Sequence, residues 1–290
     1  MPSKIALGTV QFGLNYGINN KSGQIPEHEI AKILTLAYGS KIAILDTAYV
    51  YGDSESRIGQ WLHKMTSHTF EVVSKMPKCN KEEIVGYFEQ TLERLQVESI
   101  YGYLYHNYDM FVKDRSTLDV LIALKEKKLV KKIGFSLYYP SELEEILDKN
   151  IQCDLLQMPY SILDRRFEPY FEKLQKRGIE IHTRSIYLQG LVFKSIHELS
   201  PTLLPFEPFL NKLQDLALQK NLGVDEIALN FGLKNRYIDK IIIGVDNAEQ
   251  LLQLVNIEKR DYGTDLFLKS VDLFLGMDIF EALLIPSNWN

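Results

Sequence analysis

The stretch IAILDTAYVYGDSESRIG, residues 42–59, decides the fold. Its apolar run, residues 42–45, is typical of a buried strand, and Asp46 stands where that run ends. Tyr51 follows in a short loop, and an amphipathic stretch begins at Ser54. A strand that ends in a carboxylate and leads through a loop into a helix is how a site is built at the carboxyl end of an α/β sheet.

The same alternation of short apolar runs and helical patterns continues along most of the chain. Strands are predicted at residues 4–12, 42–45, 70–74, 99–105, 133–136, 153–158, 179–183 and 240–243. Helices are predicted at residues 26–38, 54–65, 81–95, 116–129, 140–147, 166–177, 208–221, 225–234, 247–255 and 265–276. About eight strands, each followed by a helix, predict an α/β protein of the (β/α)8 TIM barrel type, with residues 1–290 forming a single domain.

An open doubly wound sheet is the rival architecture. Such sheets usually carry a glycine-rich phosphate turn, GxGxxG, after the first strand. The glycines near the start, Gly8, Gly13 and Gly17, do not form that motif. The barrel is therefore the favoured fold.

Composition and charge exclude several classes of partner. The net charge is −5 and no long Lys/Arg run occurs, which argues against nucleic acid. Cys79 and Cys153 form no CxxC pair, and the histidines show no ligand spacing, so we expect free thiols and no metal site. The amino terminus does not have the pattern of a signal peptide, and no apolar run is long enough to span a membrane. We expect a cytoplasmic protein with no membrane partner.

Three successive predicted strands end in polar residues: Asp46, Lys75 and His106. They are separated by 29 and 31 residues, which is about one βα unit each. Because strand carboxyl ends converge on one rim of a barrel, these side chains are expected to be neighbours. Tyr51 should project toward the same rim.

This set has the logic of carbonyl reduction. A tyrosine is a weak acid, with a pKa of roughly 10, and a nearby ammonium group lowers that value. Lys75 would supply the ammonium and Asp46 would hold Lys75 in place. His106 would orient a carbonyl oxygen, and Tyr51 would donate a proton to that oxygen. Since no side chain donates hydride, a nicotinamide cofactor is required.

With these residues, the chain resembles the aldo-keto reductase superfamily. The resemblance lies in DTAYVYGDSESRIG around Asp46 and Tyr51, in VVSKMP around Lys75, and in YLYHNYD around His106. It extends from GTVQFG near the start to IIIGVDNAEQL near the end. The resemblance implies a barrel with an Asp, Tyr, Lys, His tetrad, a nicotinamide cofactor, a small-molecule carbonyl substrate and a monomer.

The resemblance also implies contacts to the nicotinamide. Ser136 and Gln157 match residues that hold its carboxamide, although Leu137 stands where the family often has asparagine. Arg184 takes the place of an aromatic residue that stacks on the ring, and a guanidinium plane can also stack. Ser185 matches the serine that follows.

The last cofactor segment is the phosphate site that the family builds after its eighth strand. Gly244 and Val245 match that segment, and backbone amides at the start of the next helix can bind phosphate. Members that prefer NADP(H) usually add a Lys or Arg here, whereas this chain has Asp246 and Gln250. The resemblance favours NADP(H), with NAD(H) as the alternative.

Two other functions stay open: a cofactor-binding regulatory protein that senses redox state with little turnover, and an enzyme that performs isomerisation or elimination with the cofactor retained. Polar residues near the rim suggest a hydroxylated or sugar-like substrate: Asn15, Tyr16, Asn107, Arg184 and Gln189. His182 and Trp289 are secondary candidates for the site. The alternating Tyr101, Tyr103 and Tyr105 are expected to form one strand face that packs against helices.

Overall fold

A computed structural model describes residues 2–17, 20, 23–65, 70–272, 281–285 and 288–289. Eight parallel strands pair in chain order, and the last pairs with the first, which closes a barrel and confirms the predicted (β/α)8 architecture. The strands are β1 Ile5–Gly8, β2 Ile44–Asp46, β3 Glu71–Met76, β4 Ile100–Tyr105, β5 Val130–Ser136, β6 Leu155–Pro159, β7 Glu180–Arg184 and β8 Lys240–Gly244.

Helices follow the strands and cover the outside of the barrel. The α-helices are α1 Val10–Gly13, α2 Glu27–Gly39, α3 Ser54–Lys64, α4 Ile84–Leu95, α5 Tyr108–Lys113, α6 Thr117–Glu126, α7 Pro140–Asp148, α8 Phe171–Lys176, α9 Glu207–Lys220, α10 Val224–Lys234, α11 Ala248–Lys259 and α12 Gly263–Asp272. Short 3-10 helices lie at Lys81–Glu83, Glu168–Tyr170, Leu188–Phe193, Ile196–Glu198, Pro201–Phe206 and Glu281–Leu284.

The alternation of side chains along each strand produces two apolar layers. The larger cluster lies between the strands and the helices and includes Leu45 of β2. A small cluster fills the inside of the barrel, and it includes Ile44. Because successive side chains of a strand point to opposite faces, Asp46 shares the inner face with Ile44. The strand pattern therefore turns the carboxylate of Asp46 into the barrel.

Several predicted boundaries differ from the observed ones. The first strand ends at Gly8 rather than at residue 12, because the chain turns at Thr9 into α1. The helix predicted over residues 166–177 is instead the 3-10 helix Glu168–Tyr170 followed by α8, with a proline in the first turn of the 3-10 helix. The predicted continuation of the last helix through residues 273–276 lies outside the described residues.

The amino-terminal ends of the strands hold a buried charge network. Tyr101 packs against the inner cluster, and its hydroxyl donates to Glu180 Oε2 at 2.7 Å. The prediction that Tyr101 faces the helices is therefore wrong. Tyr103 and Tyr105 join the outer cluster, as expected. Glu180 also pairs with Lys132, and its Oε1 lies 2.6 Å from Nε2 of His182, which is fully buried. Burial opposes ionisation of Glu180, but bonds from His182, Lys132 and Tyr101 lower its pKa to about 2.

No helix in the described part of the chain combines the length and the apolar character that a membrane crossing requires.

Strand β5 passes very close to β6 at Gly134. A Cβ added to Gly134 would lie 1.7 Å from the carbonyl oxygen of Leu155, whereas one added to Gly86 in α4 would meet nothing within 4 Å. We therefore expect Gly134→Ala to lower the free energy of unfolding by about 3 kcal/mol or more, because two backbones must separate. Urea unfolding measures this, with Gly86→Ala as the matched control, which should be neutral or stabilising by up to about 1 kcal/mol. Equal effects of the two substitutions would contradict the close approach.

Candidate active site

A cavity of about 540 Å³ opens at the carboxyl ends of the strands. This volume is within the range of small-molecule sites, roughly 300–1,000 Å³. Its walls are formed by strand ends and by the loops that follow them, with Tyr51 and His106 on one side and Gly244 to Asp246 on another.

The base of the site is a buried ion pair. Lys75 Nζ donates to Asp46 Oδ1 at 2.6 Å and to the Thr47 carbonyl at 2.9 Å, and the Lys75 side chain is only 1% exposed. Gln157 Nε2 donates to Asp46 Oδ2 at 2.7 Å, so both carboxylate oxygens are bound. Burial lowers the pKa of Lys75, and the charge of Asp46 acts in the opposite direction. The pair ties β2, β3 and β6 together below the cavity.

Tyr51 and His106 lie above this pair. Their ring centroids are 5.7 Å apart in an edge-to-face arrangement, and Lys75 Nζ lies 5.4 Å from the centroid of the Tyr51 ring. The backbone of Tyr51 is fixed by the first loop, because a Cβ on Gly13 would lie 1.7 Å from the Tyr51 carbonyl oxygen. Loops after β1 and β2 therefore position the tyrosine together.

The electrostatic environment keeps both groups in defined protonation states. Burial raises the pKa of Tyr51, Asp46 raises it further, and Arg184 partly opposes them. The net direction is opposite to the predicted lowering, because burial disfavours the charged phenolate and the nearby carboxylate of Asp46 adds to that effect. Burial lowers the pKa of His106 to about 3, assisted by Lys75 and Arg184. Near neutral pH the site thus presents a protonated phenol and a neutral imidazole.

Arg184 ends β7 and brings a positive charge to the cavity wall. Its guanidinium lies 4.2 Å from the centroid of the Tyr138 ring, and Nη2 donates to the Leu137 carbonyl at 3.0 Å. Within the described residues no carboxylate forms an ion pair with Arg184. One face of the guanidinium is covered by Tyr138.

The loop after β7 has an unusual backbone. Ser185, Leu188 and Gln189 adopt positive φ angles of 66°, 46° and 54°, a conformation that is unfavourable for residues with a side chain. Gln189 Nε2 donates to the hydroxyl of Tyr16 at 2.8 Å, which joins this loop to the loop after β1. The two loops meet at the wall of the cavity.

Strand β8 leads into the amino terminus of α11, where three backbone amides are already bound by side chains. Asp246 N donates to Gln250 Oε1, Ala248 N to Glu29 Oε1 and Gln250 N to Asn247 Oδ1, at 2.7 to 2.9 Å. These amides were expected to be available to phosphate, and in this structure they are engaged within the chain.

Eleven of the twelve predicted site residues line this one cavity: Asp46, Tyr51, His106, Ser136, Gln157, Arg184, Ser185, Gly244, Val245, Asp246 and Gln250. Lys75 lies behind the wall, bonded to Asp46. The two secondary candidates are elsewhere: His182 is bonded to Glu180, and Trp289 Nε1 donates to the Leu283 carbonyl. No group of three His, Cys, Asp or Glu side chains that could hold a metal occurs among the described residues.

The wall also has polar residues that were not predicted from the sequence, among them Gln11, Tyr138, Asp225 and Gln253. Gln11 belongs to the quoted GTVQFG motif. Gln253 is one turn beyond Gln250 on α11, so helical spacing from Gln250 would have indicated Gln253. Tyr138 and Asp225 carry no local signal, because only the closed barrel brings their loops to the cavity.

Comparisons with known proteins agree on the family and on the fold. The model of the aldo/keto reductase family matches residues 4–268. An uncharacterised oxidoreductase of Bacillus subtilis (strain 168), YqkF, is 22% identical, over 96% of this chain and 98% of that protein. Among solved structures, the holo form of aldo-keto reductase AKR11C1 from Bacillus halodurans has a TM-score of 0.77 at 22% identity, covering 94% of this chain and 92% of that one. Glycerol dehydrogenase AKR11B4 from Gluconobacter oxydans has a TM-score of 0.76 at 18% identity, covering 96% and 94%.

The chain belongs to the aldo/keto reductase family. Membership supports an oxidoreductase that uses a nicotinamide cofactor and acts on a small molecule.

The buried ion pair makes Lys75 important for stability. We expect Lys75→Met to lower the free energy of unfolding by about 3–5 kcal/mol, because it leaves the carboxylate of Asp46 buried without its cation. The double variant Lys75→Met/Asp46→Asn should recover much of that loss. Urea unfolding of the three proteins measures the effect, and a double variant less stable than the single one would contradict it.

The neutral state of His106 gives stability a pH dependence. The unfolded histidine has a pKa of about 6.5 and the folded one about 3, so the unfolded state binds more protons in that window. The contribution is complete above the unfolded pKa and is lost as the pH falls. Between pH 7.5 and 5 the wild type should lose about 2 kcal/mol more than His106→Gln in urea unfolding. Parallel losses in both proteins would show that the folded imidazole is protonated by pH 5.

Proposed function

We propose that the protein reduces an aldehyde or ketone to an alcohol with NAD(P)H, and that Tyr51 is the proton donor. The observation that carries the proposal is the pairing of a protonated Tyr51 with a neutral His106 on one cavity wall, above the buried Asp46–Lys75 pair. A proton donor must be protonated when the substrate binds, and Tyr51 is protonated near neutral pH because burial raises its pKa.

Each of the four side chains has a separate role in this reaction. His106, as a neutral imidazole, donates a hydrogen bond that orients the carbonyl oxygen. Tyr51 transfers its hydroxyl proton to that oxygen as the carbonyl carbon is reduced. Lys75 then stabilises the phenolate that forms on Tyr51, and Asp46 holds Lys75 in position. The nicotinamide cofactor supplies the hydride.

The residues present fit such a cofactor. The amide nitrogen of Gln157 is already bound to Asp46, so its amide oxygen is the group left to accept from the nicotinamide carboxamide. Ser136 lies beside Gln157 in the paired strand, and the guanidinium of Arg184 can stack on the ring. Gly244 and Val245 line the cavity farther along β8. The resemblance places NADP(H) ahead of NAD(H), whereas the carboxylates beyond Val245 favour NAD(H).

The walls around the reacting groups support a hydroxylated or sugar-like carbonyl substrate. Four residues with polar side chains line the cavity, namely Tyr16, Asn20, Tyr138 and Gln189. Such groups donate and accept hydrogen bonds, as recognition of vicinal hydroxyls requires. The remaining expectations, a monomeric protein in the cytoplasm with residues 1–290 as one domain, stay predictions.

The alternative functions differ in whether a carbonyl is turned over and whether NAD(P)H is oxidised. A redox-sensing regulatory protein would bind the cofactor tightly and turn over no carbonyl, and an isomerase or lyase would form product without oxidising NAD(P)H. Following the 340 nm absorbance of the reduced cofactor together with product analysis distinguishes all three.

The decisive variant is Tyr51→Phe, which removes only the hydroxyl. We expect it to lower kcat for a panel of hydroxylated aldehydes by about 10²–10⁴-fold, because the general acid is lost. Cofactor affinity, measured by titration of nicotinamide fluorescence, should change little.

Tyr49→Phe is the matched control, since the hydroxyl of Tyr49 donates to Gln90 at 2.7 Å outside the cavity. It should turn over like the wild type. Full activity of Tyr51→Phe would exclude Tyr51 as the proton donor.

A further inference from the structure

The part of the cavity wall at the end of β8 and on α10 and α11 is acidic. We call it the acidic end and define it by Asp225 and Asp246 with their partners Gln253 and Gln250. Gln253 Nε2 donates to Asp225 Oδ2 at 2.7 Å, and Gln250 Oε1 accepts from Asp246 N at the same distance. Gln253 thus binds the carboxylate of Asp225, whereas Gln250 binds the backbone of Asp246 and its Nε2 lies 3.5 Å from Asp246 Oδ2.

Within the described part of the chain, no Lys or Arg forms an ion pair with either carboxylate. Among the described residues that line the cavity, Arg184 is the single Lys or Arg, and it is stacked on Tyr138 near the reacting groups. The amino terminus of α11 adds no positive site, because Glu29 accepts from Ala248 N and already occupies it with a carboxylate. An anion at the acidic end would meet negative charge from more than one element.

Two buried acceptors in this region have no donor. In the described part of the chain, neither Asp246 Oδ1 nor Gln11 Oε1 has a hydrogen-bond partner. The side chain of Gln11 is only 9% exposed and lies against Gly244, where an added Cβ would be 2.5 Å from Gln11 Oε1. Buried acceptors without a partner are unfavourable, so this region favours hydrogen-bond donors of a bound molecule over a further anionic group.

The position of these acceptors relative to the reacting groups identifies that molecule. The nicotinamide ring must lie beside Tyr51 and His106 to react, so the other half of an extended dinucleotide occupies the rest of the cavity, toward β8 and α11. A carboxylate accepts from a ribose 2′-hydroxyl, whereas it repels a 2′-phosphate.

We propose that Asp246 binds the adenosine ribose of the cofactor and excludes a 2′-phosphate, so that the protein prefers NAD(H) to NADP(H). This inference rests on the proposed function, since it assumes a nicotinamide dinucleotide in the cavity. It reverses the expectation that the family resemblance gave.

The test is binding of each cofactor to the full-length protein, measured by nicotinamide fluorescence without substrate. NADH should bind at least about tenfold more tightly than NADPH. Asp246→Asn keeps the shape and removes the charge, and it should improve NADPH affinity relative to NADH by about tenfold. Asp215→Asn removes an exposed carboxylate of α9 outside the cavity and should leave the ratio unchanged.

A second measurement needs no variant and therefore does not depend on whether Asp246→Asn folds. Displacement of bound NADH by AMP and by adenosine 2′,5′-bisphosphate tests the wild type alone, and AMP should be the better competitor. Tighter NADPH than NADH binding, or a ratio that Asp246→Asn leaves within twofold, would overturn this inference while the proposed function stands. Binding of neither cofactor would overturn both.

Discussion

The ion pair between Asp46 and Lys75 is the constraint on which the rest of the site depends. Two opposite charges inside a barrel are tolerated when further hydrogen bonds support them, and here Thr47 accepts from Lys75 and Gln157 donates to Asp46. These bonds connect β2, β3 and β6 at the carboxyl end of the barrel. The same pair supplies the cation that faces the ring of Tyr51. The connection between these strands and the electrostatic environment of Tyr51 therefore both depend on the contact between Asp46 and Lys75.

The cavity above this pair is electrically uneven. The side with Tyr51 and His106 carries the guanidinium of Arg184, which acts on both groups, and the wall at the end of β8 and on α10 carries Asp246 and Asp225. Because like charges repel, these carboxylates disfavour a further anionic group beside them, whereas Arg184 favours negative charge beside Tyr51 and His106.

The sequence was sufficient for the parts of the molecule that follow from repetition. Regular βα spacing indicated the barrel, and the polar strand ends Asp46, Lys75 and His106 indicated one rim, because parallel strands must end together. The prediction failed where tertiary packing overrides local pattern. Tyr101 alternates with Tyr103 in sequence, yet it turns toward Glu180 on the far side of the barrel. Gln11 meets Gly244 only because the first and last strands pair, which no local window shows.

The charge network at the amino-terminal ends of the strands has a consequence for how the protein can change. Tyr101, Lys132, Glu180 and His182 hold the lower part of the barrel together through contacts that involve no residue of the cavity. Amino-acid replacements in the loops around the cavity therefore leave this half of the barrel intact. Substitutions at the cavity end of the barrel can thus change the substrate, while the network at the amino-terminal ends of the strands keeps the chain folded.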